Sequence, residues 1–194
     1  MVIGLTGSFC SGKSYAASVF KSLGAKVLDA DKIAHAALKK GTAEHGKIAR
    51  TFGPEILNER GNIDRKTLAG VVFNDKRALK KLEAIIHPGV VKHIKRAVKK
   101  ARKNGVIVID APLLIEAGLQ DLADKLVVVK ASQKNQITRC IRKYGTNKEE
   151  CLKRINSQIP LKMKIKMADF VIDNDGTRKG TKEQIMEIWR KVWR

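Results

Sequence analysis

Short apolar runs alternate with longer amphipathic stretches along this chain. Residues 2–6 (VIGLT) are apolar and branched, too short for a helix and closed by Gly7, which predicts a buried strand. The runs 26–29 (KVLD), 106–109 (VIVI, ending in Asp110), 125–130 (KLVVVK) and 169–173 (DFVID) read the same way. Between them the pattern is helical. It spans about 13–23 up to Gly24, then a helix opening at Asp31 with Ile33, Ala34, Ala37 and Leu38 on one face. A last helix at 181–193 repeats Ile185, Ile188, Trp189 and Val192 at i, i+3, i+4 and i+7. Short apolar strands alternating with helices predict an α/β fold with a five-stranded parallel sheet.

From about Lys39 to Asn104 no strong strand run occurs. Helical segments are predicted there, interrupted at Gly53-Pro54, Gly61-Asn62 and His87-Pro88-Gly89. Asp64 is placed to cap the segment 65–73. In the basic stretch 89–103, Val90, Val91, Ile94 and Val98 fall at near-helical spacing, so the region reads as a helical insertion ending at Gly105.

Composition narrows the class. The 194 residues are 43% apolar, enough for a core, and 40 Lys+Arg against 19 Asp+Glu give a net charge of +21. Such a charge points to an anionic partner: nucleic acid, acidic lipid or a small polyphosphate. No run of about 18 apolar residues offers a membrane span, and the N-terminus has no secretory-signal pattern. Cys10, Cys140 and Cys151, odd in number and scattered, are expected to be reduced thiols, as in a cytoplasmic protein. No Cys/His cluster has zinc spacing.

The sharpest chemical signal is Gly7-Ser8-Phe9-Cys10-Ser11-Gly12-Lys13-Ser14, which satisfies G-x-x-x-x-G-K-[ST] between a strand and a helix. Two glycines let the backbone wrap a phosphate with its N–H groups inward, and the helix start adds unpaired N–H groups and its positive dipole end. Lys13 would reach the β- and γ-phosphates and the Ser14 hydroxyl a Mg²⁺ ion. A purely structural glycine turn has no need of the Lys-Ser pair.

Other residues carry two readings each. Asp31, at the carboxyl end of the second strand where open parallel sheets bind ligands, is either an acceptor of a hydroxyl proton or a helix cap. Asp110 either supports Mg²⁺ or simply ends its strand, with Pro112 stopping the ladder beyond it. Arg139 and Arg142, three apart on a predicted helix, are either a clamp on a transferring phosphoryl group or a solvated pair.

Together these motifs resemble the dephospho-coenzyme A kinase family over almost the whole chain. The carrying segments are IGLTGSFCSGKS, LGAKVLDADKIAH, residues 65–90 (RKTLAGVVFNDKRALKKLEAIIHPGV), residues 106–119 (VIVIDAPLLIEAGL), QITRCIR at 136–142 and ADFVIDNDG at 168–176. The resemblance implies a P-loop kinase fold with strand order 2-3-1-4-5. Its nucleotide-binding core would comprise 1–38, 105–131 and 167–194, its helical acceptor domain 39–104 and its lid 132–166. It implies transfer of the ATP γ-phosphoryl group to the ribose 3′-hydroxyl of dephospho-coenzyme A. Asp31, Lys13 and Arg139 would be catalytic. ATP would contact Gly7, Ser8, Phe9, Cys10, Ser11, Gly12, Lys13, Ser14, Tyr15, Arg142 and Asn174. The acceptor would contact Asp31, Arg65, His87, Pro112, Leu113 and Glu116, and Mg²⁺ would sit at Ser14 and Asp110. Without the resemblance, His87 reads as a residue ending a helix before Pro88.

The family loop has glycines where this chain has Ser8 and Cys10. A cysteine beside a phosphate nest is expected to be an electropositive thiol of low pKa. The competing reading is a P-loop nucleic-acid-binding ATPase gripping through its basic helices; against it, Phe52, Trp189 and Trp193 are not interleaved with the basic runs as stacking platforms. A non-catalytic nucleotide binder is disfavoured by intact Lys13, Ser14, Asp31 and Asp110. A monomer is the expected state.

Overall fold

The computed structural model describes residues 1–101 and 105–193; the predicted end of the helical insertion at 102–104 lies outside the described residues. In chain order the elements are β1 (Val2–Gly7), α1 (Lys13–Ser22), β2 (Lys26–Asp29), α2 (Ala30–Ala37), α3 (Ala43–Phe52), α4 (Arg65–Asn74) and α5 (Lys76–Ala101). There follow β3 (Ile107–Asp110), β4 (Lys125–Lys130), α6 (Gln133–Tyr144), α7 (Lys148–Asn156), α8 (Leu161–Met167), β5 (Phe170–Asp173) and α9 (Arg178–Val192). The chain divides into two compact units, residues 1–29 with 98–194 and residues 30–97.

In the first unit all five strands are parallel, in the order β2-β3-β1-β4-β5. That is the order the family resemblance implies. The central strand β1 is buried along its whole length, which is why it reads as an unbroken apolar run. Ile3, Leu5, Val127 and Val129 of the sheet pack with Phe20 of α1 and Ile185, Ile188 and Val192 of α9. Register places Gly7 beside Val129 and Asp29 beside Asp110, so the loop after β1 and both carboxylates share the carboxyl edge of the sheet.

The second unit is helical. Ile48, Ile56, Ile63, Leu68 and Val72 form its core, with Leu38, Phe52, Leu82, Ile85 and Ile86 packed against it. Thr42 caps α3 by accepting from the His45 N–H at 3.1 Å, and Asp64 caps α4 by accepting from the Thr67 N–H at 2.7 Å. The latter hydrogen bond holds the Asp64 carboxyl below the usual carboxylate range.

One predicted interruption does not occur. His87-Pro88-Gly89 lies inside α5, which runs through Pro88. Proline removes one intrahelical hydrogen bond and crowds the preceding turn. The helix continues because apolar positions recur on both sides of it: Leu79, Leu82, Ile85 and Ile86 before, and buried Val90 and Ile94 after.

Candidate active site

The segment between β1 and α1 is a loop shaped around its own backbone. Cys10 and Gly12 have positive φ, 58° and 92°. A Cβ on Gly12 would run into Asn174 Nδ2, and one on Gly7 would lie 2.7 Å from Ser11 Oγ, so both glycines are needed for close approach. No side chain caps the start of α1, so its first N–H groups and dipole end face the loop. The Ser11 side chain is 1% exposed and its hydroxyl has no hydrogen-bond partner among the described residues. A buried hydroxyl left without a partner beside unpaired helix N–H groups fits an anionic ligand that supplies the missing acceptors.

Side chains from α6, from the turn after α7 and from the turn after β5 hold this loop. The Ser11 carbonyl accepts from Arg139 Nη1 at 3.2 Å and from Asn174 Nδ2 at 2.7 Å. Arg139 Nη2 also donates to the Asn174 carbonyl at 2.6 Å, and buried Thr181 donates to Asn174 Oδ1 at 2.9 Å. The Ser8 hydroxyl donates to Oε1 of buried Gln136 at 2.7 Å, and the Phe9 N–H donates to Gln158 Oε1 at 2.9 Å. The Phe9 ring stacks on Tyr144, centroids 5.5 Å apart. Tyr15 donates to the Arg178 carbonyl at 3.0 Å. Lys13 is ion-paired with Asp110, both largely shielded from solvent, and Ser14 is exposed in the first turn of α1.

Beyond β3, Pro112 and Glu116 are fixed by a lysine that composition did not single out. Lys164 of α8 is 0% exposed and donates to the Pro112 carbonyl and to Glu116 Oε1, both at 2.9 Å. Thr6 also donates to the Pro112 carbonyl, at 3.0 Å, and the Ile159 N–H donates to Glu116 at 3.1 Å. A buried ammonium is tolerable only when paired and hydrogen-bonded. Leu113 is exposed.

In the second unit, Asp31 is exposed in the first turn of α2. Arg65 opens α4 and lines an apolar hollow of about 250 Å³ with Leu68, Leu82 and Ile86. His87 and Pro88 line a basic surface with Lys92, Lys95 and Arg96.

Two expectations about cysteine are corrected. Cys140 and Cys151 form a disulfide, with Cα atoms 6.1 Å apart. The turn at Gly145 caps α6 in the left-handed region and sets α6 beside α7, so cysteines eleven apart meet on two buried inner faces. Linear spacing hid this. Cys10, the remaining thiol, is pushed up from its ordinary pKa, not down. Burial is the larger influence, and the charges of Lys143, Arg154 and Arg139 only partly offset it.

Residues missed from sequence were Gln136, Tyr144, Arg154, Gln158, Lys164 and Thr181. Gln136, Arg139, Cys140, Lys143 and Tyr144 repeat at i, i+3, i+4, i+7 and i+8, a one-faced helical pattern that could have been read. Arg142 lies roughly 120° round α6 from that face, at about 100° per residue, and is exposed.

Comparison with known proteins agrees with the loop geometry. The family model described as dephospho-CoA kinase matches residues 1–180. A dephospho-CoA kinase of Carboxydothermus hydrogenoformans is 41% identical over 192 residues, covering 98% of this chain and 93% of that protein. A crystal structure of a Thermus thermophilus protein superposes with a TM-score of 0.84 at 30% identity, covering 99% and 97% of the two chains. A dephospho-CoA kinase from Campylobacter jejuni superposes with a TM-score of 0.72 at 31% identity, covering 98% and 96%.

Proposed function

This chain belongs to the dephospho-CoA kinase family, and from that premise we propose the roles of its residues in phosphoryl transfer. It is an ATP-dependent kinase that moves the γ-phosphoryl group to the ribose 3′-hydroxyl of dephospho-coenzyme A, the last step of coenzyme A synthesis. The observation that supports this site best is the loop Gly7–Ser14, with its two indispensable glycines, its uncapped helix start and Lys13 directed at Asp110.

In the proposed reaction the acceptor 3′-oxygen attacks the γ-phosphorus, the bond to the β-phosphate oxygen breaks, and that oxygen leaves with the electron pair as part of ADP. Asp31 takes the hydroxyl proton. Its support is its position two residues after Asp29, which pairs in register with Asp110 at the carboxyl edge of the sheet. Lys13 releases Asp110 to lie against the β- and γ-phosphates. Arg139 balances charge on the transferring group from beside the loop. Asn174 keeps Ser11 and the loop backbone in place through its own buried hydrogen bonds. Arg65, His87, Pro112, Leu113 and Glu116 are assigned to the acceptor side.

Mg²⁺ would be held by the hydroxyl of Ser14 and the carboxylate of Asp110, hard oxygen donors suited to an ion that takes one or two protein ligands and completes its shell with phosphate and water. When bound it would neutralise charge shared by the β- and γ-phosphate oxygens.

The test is Asp31→Asn. It is expected to lower kcat by about 10²–10⁴ with ATP affinity nearly unchanged. Steady-state kinetics with dephospho-CoA showing a loss below tenfold would leave Asp31 as no more than an acidic residue in the first turn of α2, which begins one residue earlier at Ala30.

A further inference from the structure

We propose that Arg154 of α7 is a second catalytic cation, placed with Arg139 to meet the transferring phosphoryl group over the phosphate loop. The proposal rests on the reading of Gly7–Ser14 as the ATP site. It begins from the way α7 is docked. Cys151 is joined to Cys140 of α6, the helix that also carries Arg139. Seven residues on, Gln158 accepts the Phe9 N–H of the loop at 2.9 Å. Cys151, Arg154 and Gln158 are spaced i, i+3 and i+7, one side of a helical path, so the two anchors bracket Arg154 and aim its side at the loop.

The guanidinium is held accordingly. It lies 5.6 Å from the centre of the Phe9 ring and 5.4 Å from that of Tyr144, over two rings that are themselves stacked. Planar and permanently charged, it lies within cation–π distance of both rings while the residue stays exposed to solvent, where it can meet a ligand on the loop. Arg139, Arg154 and Lys143 all act electrostatically on Cys10 at the loop's tip, so three cations converge there. A group carrying three equatorial oxygens and gaining charge at its leaving oxygen is what such a cluster would stabilise. The bonds made and broken are those already given: the 3′-oxygen to the γ-phosphorus forms, the γ-phosphorus to the β-phosphate oxygen breaks, and the proton passes to Asp31. Arg154 supplies charge and accepts no atom.

Arg154→Ala and Arg154→Lys would be compared with wild type and with Lys153→Ala, an exposed neighbour on α7. Readouts are kcat with dephospho-CoA and the equilibrium Kd for ATP. Arg154→Ala is expected to lower kcat by about 10²–10³ while the ATP Kd stays within threefold, and Arg154→Lys to recover at least tenfold of that loss. Lys153→Ala should match wild type. A kcat for Arg154→Ala within threefold of wild type overturns the proposal, and so does a loss confined to the ATP Kd. Wild-type enzyme that failed to phosphorylate dephospho-CoA would overturn the reading beneath it, and the proposal with it.

Discussion

Cys10 stands at φ 58° in the phosphate loop, a backbone region that costs a residue with a side chain roughly 1–2 kcal/mol. The sequence showed only that Cys10 and Ser8 replace glycines usual in the family. The structure separates the two. Ser8 is absorbed by a hydrogen bond to Gln136, whereas Cys10 carries the conformational cost. Cys10→Gly should therefore stabilise the protein by up to about 1 kcal/mol, allowing for glycine's greater freedom when unfolded. The thermal midpoint should rise by about 2–4 °C. A lowered midpoint would show that the Cys10 side chain contributes more packing than it costs in strain. The thiol itself has a second signature. Its pKa is raised by burial, so at neutral pH it is mostly protonated and should alkylate more slowly than a free cysteine, accelerating as pH climbs past the ordinary thiol value. Complete alkylation should block turnover and bound ATP should protect, with mass spectrometry locating the label at Cys10.

At the scale of elements, the buried strands were the most legible part of the chain. Their apolar runs are what burial on both faces demands, and the G-x-x-x-x-G-K-[ST] spacing located the loop between β1 and α1 without further help. Two features escaped for opposite reasons. Pro88 is a strong local breaker, yet the apolar face of α5 recurs across it and tertiary packing overrides the local signal. The disulfide has no local signal at all, because Cys140 and Cys151 meet only once the Gly145 turn has placed α6 beside α7. The partners of the loop escaped similarly: Gln158 and Arg154 act through the docking of α7, which linear spacing does not report. The Cys140–Cys151 disulfide closes a separation of 11 residues and is worth about 3 kcal/mol in the chain-entropy account. Reduction should lower the thermal midpoint by about 6–12 °C. Thiol titration of the denatured protein should find one free cysteine before reduction and three after. Three before reduction would contradict the disulfide.

For the molecule as a whole, the net charge of +21 first admitted nucleic acid, lipid or small phosphates as partners. The basic residues concentrate in 76–103, with eleven Lys and Arg, and in 139–166, with nine. The second stretch includes Arg139, Lys143 and Arg154, whose charges all act on Cys10 in the loop, which is where the proposed ATP site would draw on them. Much of the rest is exposed on α5. Among the described residues no helix is long and apolar enough to cross a membrane. The parallel sheet in the order β2-β3-β1-β4-β5 and the family membership place the chemistry on a small phosphate acceptor. The most direct measurement is ADP formation from ATP with dephospho-CoA, RNA, DNA or no acceptor, with the position of the new phosphate read by ³¹P NMR. ADP should form in equal amount to coenzyme A phosphorylated on the ribose 3′-oxygen, only when dephospho-CoA is present, and Lys13→Ala should nearly abolish it. ADP formation indifferent to dephospho-CoA and stimulated by RNA or DNA would contradict the account.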